Sequence, residues 1–262
     1  MYKALFWNTF QKEYRNKTLL ILGVVTLLLI FAVNWSINIF FENVELEYTK
    51  SFIGERAMSV LFIFISNWMV FLSVIMGTNA VKSDLEDKLL PVMLSFPLKR
   101  RDYLLIRILG TSSVLFSYYL ISFILGLILM SYNVEMNLLG PRLLMAPILG
   151  PFIIVPTVTI SVLFSLYFNK LISFILSSIF LFLVNISNGQ SALSFLGPKD
   201  SGILPEIMNY LFPRVGRFSE YLSNILWNGD LPDGVLWDFA HFFGSMPILF
   251  LLLNFCFKRK EA

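Results

Sequence analysis

Ten charged residues fall between Lys82 and Arg107, in the stretch KSDLEDKLLPVMLSFPLKRRDYLLIR, within a chain that otherwise leaves long runs without charge. Leu85, Leu89 and Val92 line one side of a short helix at this spacing, Asp84, Asp87 and Lys88 group on another, and Met93 and Leu94 widen the apolar surface. Pro97 stops the pattern, and Lys99, Arg100, Arg101 and Asp102 form a charged turn before Tyr103. A short helix with apolar and acidic faces suits the gripping of a soluble partner, not the making or breaking of bonds. An ordinary connecting loop satisfies the same spacing.

A second set of residues is polar without charge. Ser66, Asn67, Ser73, Thr78 and Asn79 interrupt one apolar run, and Ser173, Ser177, Ser178, Asn185 and Ser187 interrupt another. Hydroxyls and amides at helical spacing hold helices together in lipid. The same residues, Ser66, Asn67, Ser73, Ser173, Ser177 and Asn185 foremost, would also suit a weakly polar path or subunit interface that passes an amphiphile.

The groups that catalysis or ion coupling would need are missing from the sequence. There is no GxxxxGK[ST] phosphate loop, no Gly-Lys dipeptide, no HExxH and no GxSxG. His241 is the one histidine and Cys256 the one cysteine, so neither a ligand cluster nor an internal disulfide is available. His241 reads as a structural histidine. The centres of the apolar runs hold no Asp, Glu, Lys or Arg, which disfavours a proton-coupled carrier and an intramembrane enzyme. The chain is expected to bind no cofactor or metal of its own.

These residues must be positioned by membrane helices. Of the 262 residues 57% are hydrophobic and 14% charged, more apolar surface than a soluble core of this size buries. Cutting at every charge leaves six windows: Thr18 to Phe41, Ala57 to Val81, Ile108 to Val134, Leu143 to Asn169, Leu171 to Pro198 and Phe239 to Phe257. Each reaches the roughly 18–20 residues that cross a hydrocarbon core as a helix. Continuous apolarity without alternation favours helices over barrel strands.

The fold expected is therefore an all-α membrane protein forming one domain over residues 1–262, with spans at about 18–41, 57–81, 108–134, 143–169, 171–190 and 239–257. Fourteen of the twenty basic residues fall on one side of that layout, which places both termini in the cytoplasm. The basic residues lie at membrane edges and not in one patch, so nucleic acid is not an expected partner.

Residues 1–17 carry Tyr2, Phe6, Phe10 and Tyr14 at intervals of four, with Trp7 beside them, a pattern for a helix lying in the membrane interface. A helix packed on protein is the other reading. Asn169 and Lys170 alone join spans four and five, which predicts a tight antiparallel pair. Pro147, Pro151 and Pro156 predict a bend in span four. The outer segment, about 188–238, is rich in Pro and Gly, yet Phe218, Tyr221, Leu222, Ile225 and Leu226 share one helical face. That helix either dips into the outer leaflet or caps the protein's own surface.

Residues 94–107, LSFPLKRRDYLLIR, resemble the "LLSxPxSRxEYLLGK" run between the second and third spans of type-two ABC exporter permeases, the membrane subunits of ATP-binding-cassette exporters. Residues 210–218, YLFPRVGRF, are similar to the "LLPNLxxF" element those permeases carry after their fifth span. The resemblance extends to the whole layout of interfacial helix, six spans, short loop between spans four and five, and long outer segment. Departures are Lys88-Leu89 in place of a glycine-threonine pair, Pro91 within the helix, and Ile106-Arg107 in place of glycine-lysine.

The resemblance implies a division of labour. A separate cytoplasmic ATPase dimer would bind ATP and Mg, and a coupling helix at about 84–95, with Asp84, Leu85, Glu86, Leu89, Val92 and Met93, would dock in its cleft. A second permease copy or a relative would complete the pathway, with membrane lipids around it and an outer accessory protein as a further possible partner. The setting implied is the bacterial cytoplasmic membrane, and the cargo a lipid, an amphiphile or a lipid-linked glycan. A mechanotransmitting subunit that passes ATPase motion to an envelope partner without moving a substrate fits the same features, as does a polytopic scaffold without an ATPase.

Overall fold

Backbone amides and carbonyls in long apolar runs have no water to bond, so they bond one another, and helix is the local solution. The computed structural model describes residues 2–15, 17–42, 47–88, 99–131, 140–188, 210–227 and 234–261, and the described residues contain helix and no strand. In order the helices are α1 (Tyr2–Tyr14), α2 (Lys17–Glu42), α3 (Glu47–Ala80), α4 (Lys82–Glu86), α5 (Arg100–Ser131), α6 (Gly140–Tyr167), α7 (Lys170–Asn188), α8 (Val215–Trp227) and α9 (Val235–Glu261).

Four stretches are long and apolar enough to cross a membrane: Val60–Glu86, Arg100–Leu129, Pro147–Tyr167 and Val235–Arg259. Within the described residues α2 and α7 add shorter apolar stretches, Ile21–Ser36 and Lys170–Val184. Several apolar helices of this kind make a multi-pass membrane protein. Ile21, Leu28 and Phe31 on α2, Ile175, Ile179 and Phe182 on α7, and Leu251 and Phe255 on α9 face outward, which is the surface lipid requires and water would not tolerate.

The centre of the bundle is α6, which packs against α3, α5, α7, α8 and α9. Its helix continues through Pro147, Pro151 and Pro156, so these prolines do not break it. Thr157, Thr159, Ser161 and Ser165 turn their hydroxyls back onto carbonyls of their own helix, which leaves α6 smooth and apolar toward its neighbours. At Gly77 of α3 the two helices come close, for a Cβ there would lie 2.8 Å from the Ser161 Cβ.

The turn between α6 and α7 is as short as expected, but Phe168 and Asn169 lie between the helices and Lys170 already belongs to α7. Asn169 caps α7, its Oδ1 accepting from the Ile172 amide at 2.8 Å, so two residues suffice to reverse the chain.

α1 has one face packed on protein and one exposed. Leu5, Thr9 and Glu13 are buried, and α1 packs on α5 where Gly110 leaves room for Thr9. Trp7, Phe10 and Tyr14 form a stacked ladder, with Trp7 and Tyr14 exposed.

For α8 the structure decides between the two readings. Val215, Phe218, Tyr221, Leu222 and Ile225 are buried against the bundle, and Phe218 stacks on Phe152 at 5.2 Å between centroids. The helix caps the protein itself, over α6, α3 and α7. Thus α1, α4 and the α6–α7 turn gather at one end of the bundle, and α8 closes the other.

Candidate functional site

The charged stretch between α3 and α5 is only partly a surface. Val81 separates α3 from α4, and that one turn of helix brings Ser83 and Asp84 inward. Asp84 has no exposed side chain, and its carboxylate is ion-paired with Arg107 of α5, itself 2% exposed. Lys12 of α1 donates from Nζ to Asp84 Oδ1 and to Ser83 Oγ, both at 2.8 Å. The Tyr103 hydroxyl donates to Asp84 Oδ2 at 2.6 Å, and Arg107 Nη1 donates to Thr9 Oγ1 at 3.1 Å. The Arg107 guanidinium also sits 5.7 Å from the centre of the Tyr103 ring one turn before it.

One carboxylate therefore fastens three elements: α1, α4 and α5. Buried charges paired in this way fix geometry, because each alternative arrangement strands a charge away from water, although Arg107 Nε has no partner among the described residues. The Asp84 carboxylate is fully buried and held by two cations and a phenol, so it presents no open face to a substrate. Its chemistry is mechanical.

Glu13 lies beside this lock on the buried face of α1. Burial raises its carboxyl above the ordinary value of 4.5; Lys12 and Arg107 pull it down, and Asp84 adds to the rise. The neutral form is thus the better fitted to the docked helix. The stability associated with Glu13 is fully present below the ordinary carboxylate value and is lost as pH rises through the raised one. Glu13→Gln is expected to stabilise the protein above that window and to remove the fall in unfolding midpoint that Glu13 contributes as pH rises through it. Unfolding titrations between pH 4 and 8 on both proteins check this, and parallel curves would refute it.

The remaining expected docking residues divide by position. Leu85 is half-buried on the core, and Glu86 is exposed, paired with Lys170 at the start of α7 at 2.7 Å. Asp87 and Lys88 form an exposed turn, Lys88 with φ of 55°, so the helix of α4 closes before residue 89 and does not run on from 84 as one piece. Leu89, Val92 and Met93 lie outside the described residues. Asp84 itself faces inward and offers no surface to a partner.

The polar residues of the spans also divide. Ser66 donates to the Phe62 carbonyl at 2.9 Å and lies 3.4 Å from the Tyr119 hydroxyl, and Ser73 donates to the Met69 carbonyl at 2.7 Å. Asn67 is exposed on α3. Ser173 and Ser177 are both buried on α7 with hydroxyls that have no hydrogen-bond partner among the described residues. The Asn185 side chain lies outside the described residues.

At the far end a second buried group appears. Asp238, in the first turn of α9, accepts from Arg214 Nη1 at 2.7 Å and from the Tyr221 hydroxyl. Burial first, then the bond to Asp238 and its negative charge, push the Tyr221 phenol up and keep it a donor. His241 Nε2 lies 3.0 Å from the Tyr210 carbonyl, and its Nδ1 is buried with no partner among the described residues.

Sequence reasoning treated Arg107 and Lys12 as boundary charges facing headgroups and did not see the lock. The signal available was Arg107 itself, set inside an otherwise apolar run, YLLIRILG, with no aqueous neighbour in sequence. The chain matches no family model and no curated protein.

Proposed function

We propose that the chain is the membrane subunit of an ATP-binding-cassette exporter, moved by a separate cytoplasmic ATPase and carrying a lipid, an amphiphile or a lipid-linked glycan. In this reading six spans cross the membrane, α1 lies at the cytoplasmic face with its Trp7–Phe10–Tyr14 ladder in lipid, and α8 covers the outer end. ATP and Mg belong to the partner, and a second permease completes the path.

The observation that carries the reading is the lock on Asp84. A segment that receives force from a partner must be rooted, or the force is spent bending a loop. Here the root of the 82–107 connection is tied to α1 and α5 by buried charge and to the start of α7 by Glu86 and Lys170. Free energy passes between subunits only through contacts that differ between two arrangements, and a rigid root lets the docking segment carry such a difference into the spans.

Purification in mild detergent followed by mass spectrometry is the test. An ATPase of the ATP-binding-cassette type is expected among the companions of the native chain and is expected to be lost from Leu89→Asp or Met93→Asp, which still insert. Recovery of no nucleotide-binding companion would sink the proposal. In liposomes the purified complex then separates two modes: cargo movement marks an exporter, and ATPase activity that answers only to an outer partner marks a mechanotransmitter.

A further inference from the structure

One polar group of the spans faces away from the protein. Asn67 is exposed on α3 and has no hydrogen-bond partner among the described residues. It lies near the middle of the apolar run Ala57 to Val81, about 15 Å along the helix from the start of the run, which is half the depth of a hydrocarbon core of about 30 Å. A carboxamide at that depth offers two donor hydrogens and an acceptor, and lipid tails answer none of them. Ser113 and Ser117, exposed on α5, meet the same surroundings by donating to the Leu109 and Ser113 carbonyls of their own helix. Asn67 makes no such bond.

The residues around it form a seam. Val60, Asn67 and Phe71 are exposed and Phe64 is half-buried, and the four recur at intervals of four, three and four residues, the spacing of a face that meets a second helix at a shallow angle. Neighbouring helices flank this face and leave it open among the described residues. On one side α2 is tied by the Trp68 indole, which donates to Thr26 Oγ1 at 2.6 Å. On the other α7 brings Phe174 beside Val70 and edge-on to the Phe71 ring, 5.5 Å between centroids.

We propose that a second copy of the chain docks on this seam, α3 against α3 across a two-fold axis, with the two Asn67 carboxamides hydrogen-bonded to each other. A two-fold axis sets residues near it opposite their own copies, and a carboxamide is its own complement, donor to acceptor in both directions. An unrelated helix would have to bring a polar group to the same depth and register, which an identical chain does by symmetry. The inference rests on the transport reading in one respect, the second subunit that completes the path, and it makes that subunit an identical one. Dimerisation itself needs neither ATPase nor cargo.

The test uses the full chain with Cys256→Ser in proteoliposomes, oxidised with copper phenanthroline. Val60→Cys and Phe71→Cys report on the seam with Asn67 intact; Phe182→Cys and Phe255→Cys report on the outward faces of α7 and α9. The two seam positions are expected to give a disulfide-linked dimer on a non-reducing gel, and the other two to remain single chains. Asn67→Leu, added to Phe71→Cys, is expected to weaken the dimer by about threefold to twentyfold on dilution in lipid, the factor that one interhelical hydrogen bond carries there, while Asn67→Gln retains it. Dimers formed only at the α7 or α9 positions would place the contact on another face, and single chains throughout would mean that no second copy docks. A seam dimer indifferent to Asn67→Leu would mean that the carboxamides are not paired. Each of these results overturns the proposal, and none depends on whether an ATPase is found among the companions of the chain.

Discussion

Asp84→Leu is expected to cost the detergent-solubilised protein roughly 3–5 kcal/mol, because it removes the one anion shared by two cations and leaves Arg107 buried without it. The two cations are not equivalent. Lys12 keeps 35% of its side chain exposed and can carry its ammonium outward, whereas Arg107 is 2% exposed and has no such route. Tyr103 also loses its acceptor, a further loss of about 1 kcal/mol. Arg107→Met is expected to cost less than Asp84→Leu, since Lys12 remains to balance the carboxylate. The double variant Asp84→Leu with Arg107→Met is expected to recover most of the loss, as an apolar pair of similar volume replaces a desolvated ionic one. Denaturant titrations of the three variants at neutral pH, read as a double-mutant cycle, decide the matter. An Asp84→Leu protein within about 1 kcal/mol of the native one would mean that Arg107 finds water and that no lock exists.

The physics of what was legible differs between the two kinds of residue involved. Apolar runs announce their helices because lipid leaves the backbone no alternative, and a cap such as Asn169 acts on the residue three places on, within reach of inspection. The face of α8 was visible for the same reason: Phe218, Tyr221, Leu222 and Ile225 recur at helical intervals, although only packing could say whether protein or lipid covers them. Long-range charge pairing carries no such local mark. Lys12 and Asp84 stand 72 positions apart, and Thr9 and Arg107 98 apart. Cutting the sequence at charges assumed that every charge is wet, so the third apolar window began at Ile108; the helix begins at Arg100 and takes Arg107 inside. The serines illustrate the same division, since Ser66 and Ser73 satisfy themselves on their own turn while Ser173 and Ser177 do not.

The second large effect is expected at Gly77, and its sign is the informative part. Alanine is a better helix former than glycine by about 1 kcal/mol, so an unencumbered helical glycine gains from the change. Gly244 in α9 is such a position, with nothing within 4 Å of an added Cβ, and Gly244→Ala is expected to stabilise by up to about 1 kcal/mol. At Gly77 the added Cβ would meet the Ser161 Cβ at 2.8 Å and both the Cα and the carbonyl oxygen of Val158 at 3.1 Å. Two of those three atoms are backbone of α6, and backbone cannot rotate out of the way as a side chain does. Gly77→Ala is therefore expected to destabilise by about 1–3 kcal/mol, and Gly77→Leu by about 3 kcal/mol or more, because the two helices must separate. As α6 also carries α5, α7, α8 and α9, that separation spreads through the bundle instead of staying local. Unfolding midpoints of the two alanine variants measured side by side should move in opposite directions; if both rise, α3 and α6 do not approach as closely as the described packing requires.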